Sequence, residues 1–150
     1  METLSIPPIN STSPFASMKG NHVAIRVPDL EASKRWFVDK LDFRVIHEWP
    51  FGDLQLAYVA PATDDNFWVE LLGGGTPGPQ PDYSDLNESL HDAGYHHFCI
   101  NVASVDDTLT ELGRRGVTIL GEPFDLAAIG RRLAFFADPW GNLIELAQVL

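Results

Sequence analysis

Two histidines and two glutamates recur in this chain at one spacing. Glu70 follows His22 by 48 positions and Glu145 follows His97 by the same 48, so the second pair is the first moved along by 75. Imidazole nitrogens and carboxylate oxygens are hard to borderline donors. Two of each around one divalent cation leave one or two positions open for water or substrate. With no thiolate in the set, Zn, Ni, Co, Mn or Fe(II) suits it, one ion per site.

The flanking residues keep the same register. His22-Val23-Ala24-Ile25-Arg26-Val27 lies over His97-Phe98-Cys99-Ile100-Asn101-Val102, and Val69-Glu70-Leu71-Leu72 over Ile144-Glu145-Leu146-Ala147. Self-similarity at a fixed period is read before any element is assigned, and here it gives one module of about 75 residues used twice. One histidine on a strand is ordinarily a core or surface residue; two in register with two carboxylates define a site. His47 and His91 lack a partner in register and are expected to be solvated. His96 overlays Asn21 in the repeat and is expected on the face opposite His97.

Periodicity supplies the elements that carry these side chains. Residues 21–27 alternate as a half-buried strand. Asp29 is an N-cap for a helix over 30–40, with Leu30, Lys34, Phe37 and Leu41 at helical spacing. Strands follow at 43–49, 52–60 and 67–72. The second half repeats the order: strand 97–102, a helix capped by Ser104 and stopped by Gly116, then strands 117–120, 132–137 and 143–149. Asp138-Pro139-Trp140-Gly141-Asn142 is the last turn. The fold class is therefore α+β, with two tandem βαβββ modules at 21–72 and 95–150. A Pro- and Gly-rich linker over 73–94 holds one short helix at 84–91 and lies where it can cover a site. The segment 121–130 is expected to be a mobile flap ending at Arg131 and Arg132, and residues 1–20 a loose N-terminal arm.

Side chains alternate across a strand. His22, Glu70, His97 and Glu145 thus share the faces opposite Val23/Ile25/Val27, Val69/Leu71, Phe98/Ile100/Val102 and Ile144/Leu146. The apolar sets turn to the helices, and the four candidate ligands to the concave face of a curved mixed sheet. A carboxylate there is costly unless it is paired or bound to a cation. Trp68 and Leu72 beside Glu70, and Cys99 and Asn101 beside His97, are candidate pocket residues.

Composition narrows the partners. A formal charge of −11 argues against nucleic acid and anionic membrane surfaces. No Lys or Arg occurs from Val45 to Gly113, a span with twelve of the 21 acids, so an anionic substrate has only Arg26, Arg131, Arg132 or the metal to meet. One cysteine cannot form an intrachain disulfide, the start lacks a signal-peptide pattern, and no apolar run is long enough to span a bilayer. A cytoplasmic protein is expected.

The repeated module, the opening His22 to Ser33 (HVAIRVPDLEAS) and the closing Asp138 to Leu146 (DPWGNLIEL) resemble the vicinal oxygen chelate superfamily over about residues 20–150. That superfamily includes glyoxalase I, epimerases, extradiol dioxygenases and antibiotic-resistance proteins. The His-Glu-His-Glu set is similar to glyoxalase I of the kind with His first, which tends to use Ni or Co. Arg26 matches a glutathione-contacting arginine of that family. The arginine expected shortly before the second histidine is replaced by Asp92-Ala93-Gly94-Tyr95, a departure that speaks against glutathione.

The resemblance implies metal-assisted proton transfer on a small substrate with two vicinal oxygens, a lyase or isomerase reaction. Glu145 is the implied base and Glu70 its symmetric alternative; Arg26, Trp68, Asn101 and Cys99 are the implied substrate contacts. Two other readings stay open: an Fe(II) extradiol-type dioxygenase, whose iron sits on two His and one carboxylate, and an antibiotic- or toxin-binding protein of the same fold. The superfamily builds sites from paired modules, within one chain or across a dimer, and a homodimer is expected.

Overall fold

Strand pairing within each half explains why the ligand candidates recur. The computed structural model describes residues 4–150, so residues 1–3 of the N-terminal arm lie outside the described residues; residues 4–20 hold no helix or strand and are almost wholly exposed. The first half runs β1 (His22–Arg26), α1 (Leu30–Leu41), β2 (Arg44–Phe51), β3 (Leu54–Ala60) and β4 (Trp68–Gly74). The second runs β5 (His97–Asn101), α2 (Val105–Arg114), β6 (Thr118–Leu126), β7 (Arg131–Ala137) and β8 (Leu143–Val149). Each half is a βαβββ module with its own mixed four-stranded sheet, ordered β1-β4-β3-β2 and β5-β8-β7-β6. The first strand of each runs parallel to the last, with Ala24 beside Glu70 and Cys99 beside Glu145.

The helices start where capping chemistry dictates. Asp29 accepts a hydrogen bond from the Ala32 amide at 2.9 Å, and Ser104 one from the Asp107 amide at 3.1 Å, satisfying amides that a helix start leaves open. Both helices pack on the sheets through the apolar strand faces. Ile25, Val27, Val69, Leu71, Phe98, Ile144 and Leu146 join Leu30, Trp36, Phe37, Val105 and Leu112 in one core that spans both halves. Trp36 stacks on Phe136 at 6.5 Å and Phe67 meets Phe98 at 5.8 Å, so the modules share their interior.

A reciprocal contact marks the internal pseudo-twofold. Lys40 Nζ donates to the Arg115 carbonyl at 2.5 Å, and the Arg115 guanidinium to the Lys40 carbonyl at 3.3 Å, two residues themselves 75 apart. Each satisfies backbone acceptors at the other helix's C-terminus. Arg115 also clasps both Asp42 carboxylate oxygens, at 2.8 and 3.0 Å.

Two stretches differ from the sequence reading. β4 continues through Gly73 and Gly74, which pair with Gln55 and Leu54, because Gly73 lets the strand pass against the start of α1. A Cβ there would lie 2.5 Å from the Leu30 Cβ. The segment taken for a flap is instead a strand as far as Leu126. Phe124, Asp125 and Leu126 pair with Leu133, Arg132 and Arg131, and an irregularity after Leu120 absorbs Gly121. Arg132 is held there by Asp106 and Asp125, so it is structural.

Candidate metal and substrate site

The strand faces turned away from the core carry one His–Glu pair each. His22 Nε2 lies 3.1 Å from Glu70 Oε2 and His97 Nε2 2.8 Å from Glu145 Oε2. The two pairs are nearly equally sheltered, with side-chain exposures of 30% and 14% in the first and 30% and 13% in the second. Their neighbours on the buried faces, Val69 and Ile144, are fully covered. The alternation of the strands thus holds the carboxylates at the edge of solvent.

Each imidazole is fixed by the residue that precedes it. The Asn21 side-chain oxygen is 2.6 Å from His22 Nδ1, and His96 Nδ1 is 2.8 Å from His97 Nδ1. The expectation that His96 points away from His97 is therefore corrected: β5 begins only at His97, and the residue before it, free of the pleat, turns its ring edge-on to its neighbour. With Nδ1 held, Nε2 is the nitrogen offered to the carboxylate.

That donor set fits a divalent cation. Cis ligands about 2.1 Å from one ion at right angles stand about 3.0 Å apart, close to both His–Glu separations. All four atoms are nitrogen or carboxylate oxygen. Among the described residues no group of three His, Cys, Asp or Glu side chains converges, so the two His–Glu pairs stand apart within one chain.

The third strand of each module adds a residue that the sequence reading missed. Tyr58 pairs with Glu70 and lies 5.3 Å from the His22 ring; Phe135 pairs with Glu145 and lies 5.3 Å from the His97 ring. They are 77 positions apart rather than 75, because the β3–β4 connection is two residues longer than the β7–β8 turn, and the shift hides the match. Around Tyr58 the face is aromatic. Trp49 is 4.6 Å and Trp68 5.1 Å from its ring, and His47 stacks on Trp49 at 5.6 Å and 16°. His47 is exposed as expected, yet its ring belongs to this aromatic row.

The remaining candidates separate. Trp68 lies on the Glu70 face, and its buried indole N–H has no hydrogen-bond acceptor among the described residues. Leu72 pairs with Arg26 there. The Arg26 guanidinium donates to the Leu72, Gly74 and Val27 carbonyls, so much of its donor capacity serves the end of β4. It also lines a cavity of about 400 Å³ with Ala24, Tyr95, Asn142 and the linker residues Pro77 to Pro81. Asn101 is exposed on the His97 face. Cys99 is exposed too, but desolvation and then the adjacent Glu145 carboxylate push its thiol up to about 12, so it presents an S–H rather than a thiolate.

The linker is fastened above the second half-site. Tyr83 donates its hydroxyl to the Gly141 carbonyl at 2.6 Å, and a single 3₁₀ turn at Glu88–His91 places Ser89 Oγ 2.9 Å from His96 Nε2. Asp138 anchors the turn that Tyr83 touches. It is 3% exposed and accepts from the amides of Trp140 and Asn142 and from the Asn142 side chain.

Two mixed βαβββ modules in tandem, with a His–Glu pair on the first and last strand of each, define a vicinal oxygen chelate protein. The chain belongs to the Glyoxalase/Bleomycin resistance protein/Dioxygenase superfamily, whose family model matches residues 19–146. It is 30% identical over 131 residues to the mitochondrial methylmalonyl-CoA epimerase of Bos taurus, covering 85% of this chain and 73% of that one. It is 30% identical over 146 residues to a 2-epi-5-epi-valiolone epimerase of an Actinomyces species, covering 86% and 78%. Among solved structures, that of SMU.1112c superposes with a TM-score of 0.72 at 24% identity, covering 88% of this chain and 99% of that one. No helix among the described residues is long and apolar enough to cross a membrane.

Proposed function

We propose that this protein is a divalent-metal-dependent epimerase or lyase that moves a proton at the carbon next to a carbonyl. The observation that carries the reading is the duplicated His–Glu pair, each with the imidazole Nε2 turned to a carboxylate oxygen. Similarity to two epimerases supports the reaction class. The four candidate ligands exceed the two His and one carboxylate of an extradiol iron site, which makes ring cleavage the weaker alternative.

His22, Glu70, His97 and Glu145 would hold the ion, and since the two pairs stand apart within one chain, the complete site forms where two copies of the chain pair. When bound, the cation polarises the substrate carbonyl and makes the adjacent C–H more acidic. Glu145 takes that proton, and in an epimerisation Glu70, its counterpart in the other module, would return one to the other side of the planar carbon. Tyr58, Trp49 and Trp68 near the first His–Glu pair and Phe135 beside the second would supply apolar walls to the substrate. Arg26 is engaged with carbonyls, so a negative charge on the substrate would meet the cation or Arg131, which lies close enough to Cys99 to act on its thiol.

Metal analysis by mass spectrometry, on protein purified without chelator or nickel resin, tests the reading. Near-stoichiometric metal in the wild type, lost in His22→Ala and Glu145→Ala, is the expected result. Absence of metal after reconstitution with Ni, Co, Zn, Mn and Fe(II) would leave a small-molecule binding protein as the better account.

A further inference from the structure

We infer that Arg131 is the anion-binding residue of the site, and that the substrate carries a carboxylate or phosphate a few bonds from the reacting carbon. The inference deepens the proposed function and rests on it for the identity of that carbon. Among the described residues the other candidate arginines are spent. Arg26 donates to the Val27, Leu72 and Gly74 carbonyls, and Arg132 is clasped by Asp106 and Asp125. Arg44, Arg114 and Arg115 each hold an Asp or Glu as well. Arg131 makes one contact, from Nη1 to the Gly130 carbonyl at 3.1 Å, and meets no carboxylate among the described residues. That carbonyl also accepts from the Leu150 amide at 3.1 Å, so the guanidinium is anchored at one corner while Nε and Nη2 stay uncommitted.

Strand alternation puts Arg131 on the face of Phe135, the residue beside the His97 ring. Its partner Val149 lies about 13 Å along β8 from Glu145, and the side chain leans back over that gap. The Cys99 thiol, raised by desolvation and then by Glu145, is drawn down by the Arg131 charge, and Cys99 pairs with Glu145. Leu126 and Val149 flank Arg131 on the neighbouring strands, and Leu133 follows on the same face. A half-buried guanidinium among apolar side chains is weakly hydrated, and its planar fork suits the paired oxygens of a carboxylate or phosphate. The repeat separates this role from a structural one. In the first module the matching position, opposite Gly74 as Arg131 is opposite Val149, holds Leu54. The ladder therefore forms without a cation there.

The test has two arms. In metal-free protein, the arginine Nε–H resonances are followed by proton–nitrogen spectroscopy during titration with glutarate, inorganic phosphate and neutral glutaramide, the Arg131 signal being assigned by its loss in Arg131→Gln. A saturable shift of that signal with glutarate or phosphate, and none with glutaramide, is expected, and the tighter of the two anions names the group. An unmoved Arg131 signal, or shifts at Arg26 or Arg132 in its place, overturns the inference. In Zn²⁺-loaded protein, calorimetry compares glutaric acid monohydroxamate with its primary-amide twin, both of which offer two vicinal oxygens. The wild type should prefer the carboxylate by about 10- to 100-fold, and Arg131→Gln should lose that preference while binding the amide within about threefold of the wild type. A preference that survives Arg131→Gln overturns the inference. If the metal-free shifts appear as stated and neither hydroxamate binds, the metal reading fails while the anion site stands.

Discussion

Exchange of subunits between two defective variants tests whether the site is shared. His22→Ala removes one ligand from the first half-site and His97→Ala one from the second. In the proposed site, where two copies pair, each complete ligand set would take His22 and Glu70 from one copy and His97 and Glu145 from the other, the two pairs not converging among the described residues of one chain. Either homodimer then has both sites damaged. Equal random mixing makes about half of the dimers mixed, and each mixed dimer holds one site with both lesions and one with none, so about a quarter of wild-type sites return. The assay is retained Zn²⁺ after dialysis against a chelator that the wild type resists, before and after unfolding and refolding the mixture. Recovery near a quarter matches the shared site. No recovery, with both variants individually folded, would mean that all four ligands meet in one chain and would refute the reasoning.

Three further outcomes follow from the fold. Gly73→Ala drives a Cβ to 2.5 Å from the Leu30 Cβ at the start of α1, and overpacking of this kind costs about 1–3 kcal/mol; calorimetry should show Tm lowered by about 2–4 °C per kcal/mol. Asp138→Ala leaves the Trp140 and Asn142 amides and the Asn142 side chain without their acceptor, costing about 1–3 kcal/mol by urea denaturation, with the turn that holds Tyr83 loosened. Arg114 and Arg115 hold the Glu111 carboxyl down at about 2, and Arg115 holds Asp42 below the usual range. Folded-state values below the unfolded ones give stability that is complete above the ordinary carboxylate range and lost as pH falls toward about 2. Urea midpoints should therefore fall more steeply between about pH 5 and pH 2 in the wild type than in Arg115→Ala.

The modules were legible because the repeat and the alternation agree. Val23, Ile25 and Val27 bury one face, which leaves His22 only the other, and the parallel β1–β4 and β5–β8 ladders then bring each histidine to its glutamate. What escaped lay where register breaks. Tyr58 and Phe135 match only after a two-residue difference in connections. His96 precedes its strand, so alternation does not govern it. The β6 extension across Gly121 depends on pairing with Arg131 to Leu133, a tertiary preference that a glycine-bounded segment does not advertise. Arg26 was legible as a site-facing residue, but its carbonyl partners at the end of β4 come from 46 and 48 residues away.

Solvent deuterium incorporation at the carbon next to the carbonyl tests the central claim most directly. It would be followed by proton magnetic resonance with methylmalonyl-CoA, 2-epi-5-epi-valiolone and simple neutral 2-hydroxyketones. Metal-loaded wild-type protein should exchange that proton in at least one of these compounds, and Glu145→Gln, with its metal retained, should lose the exchange by about 100-fold or more. Undiminished exchange in metal-loaded Glu145→Gln would contradict the account.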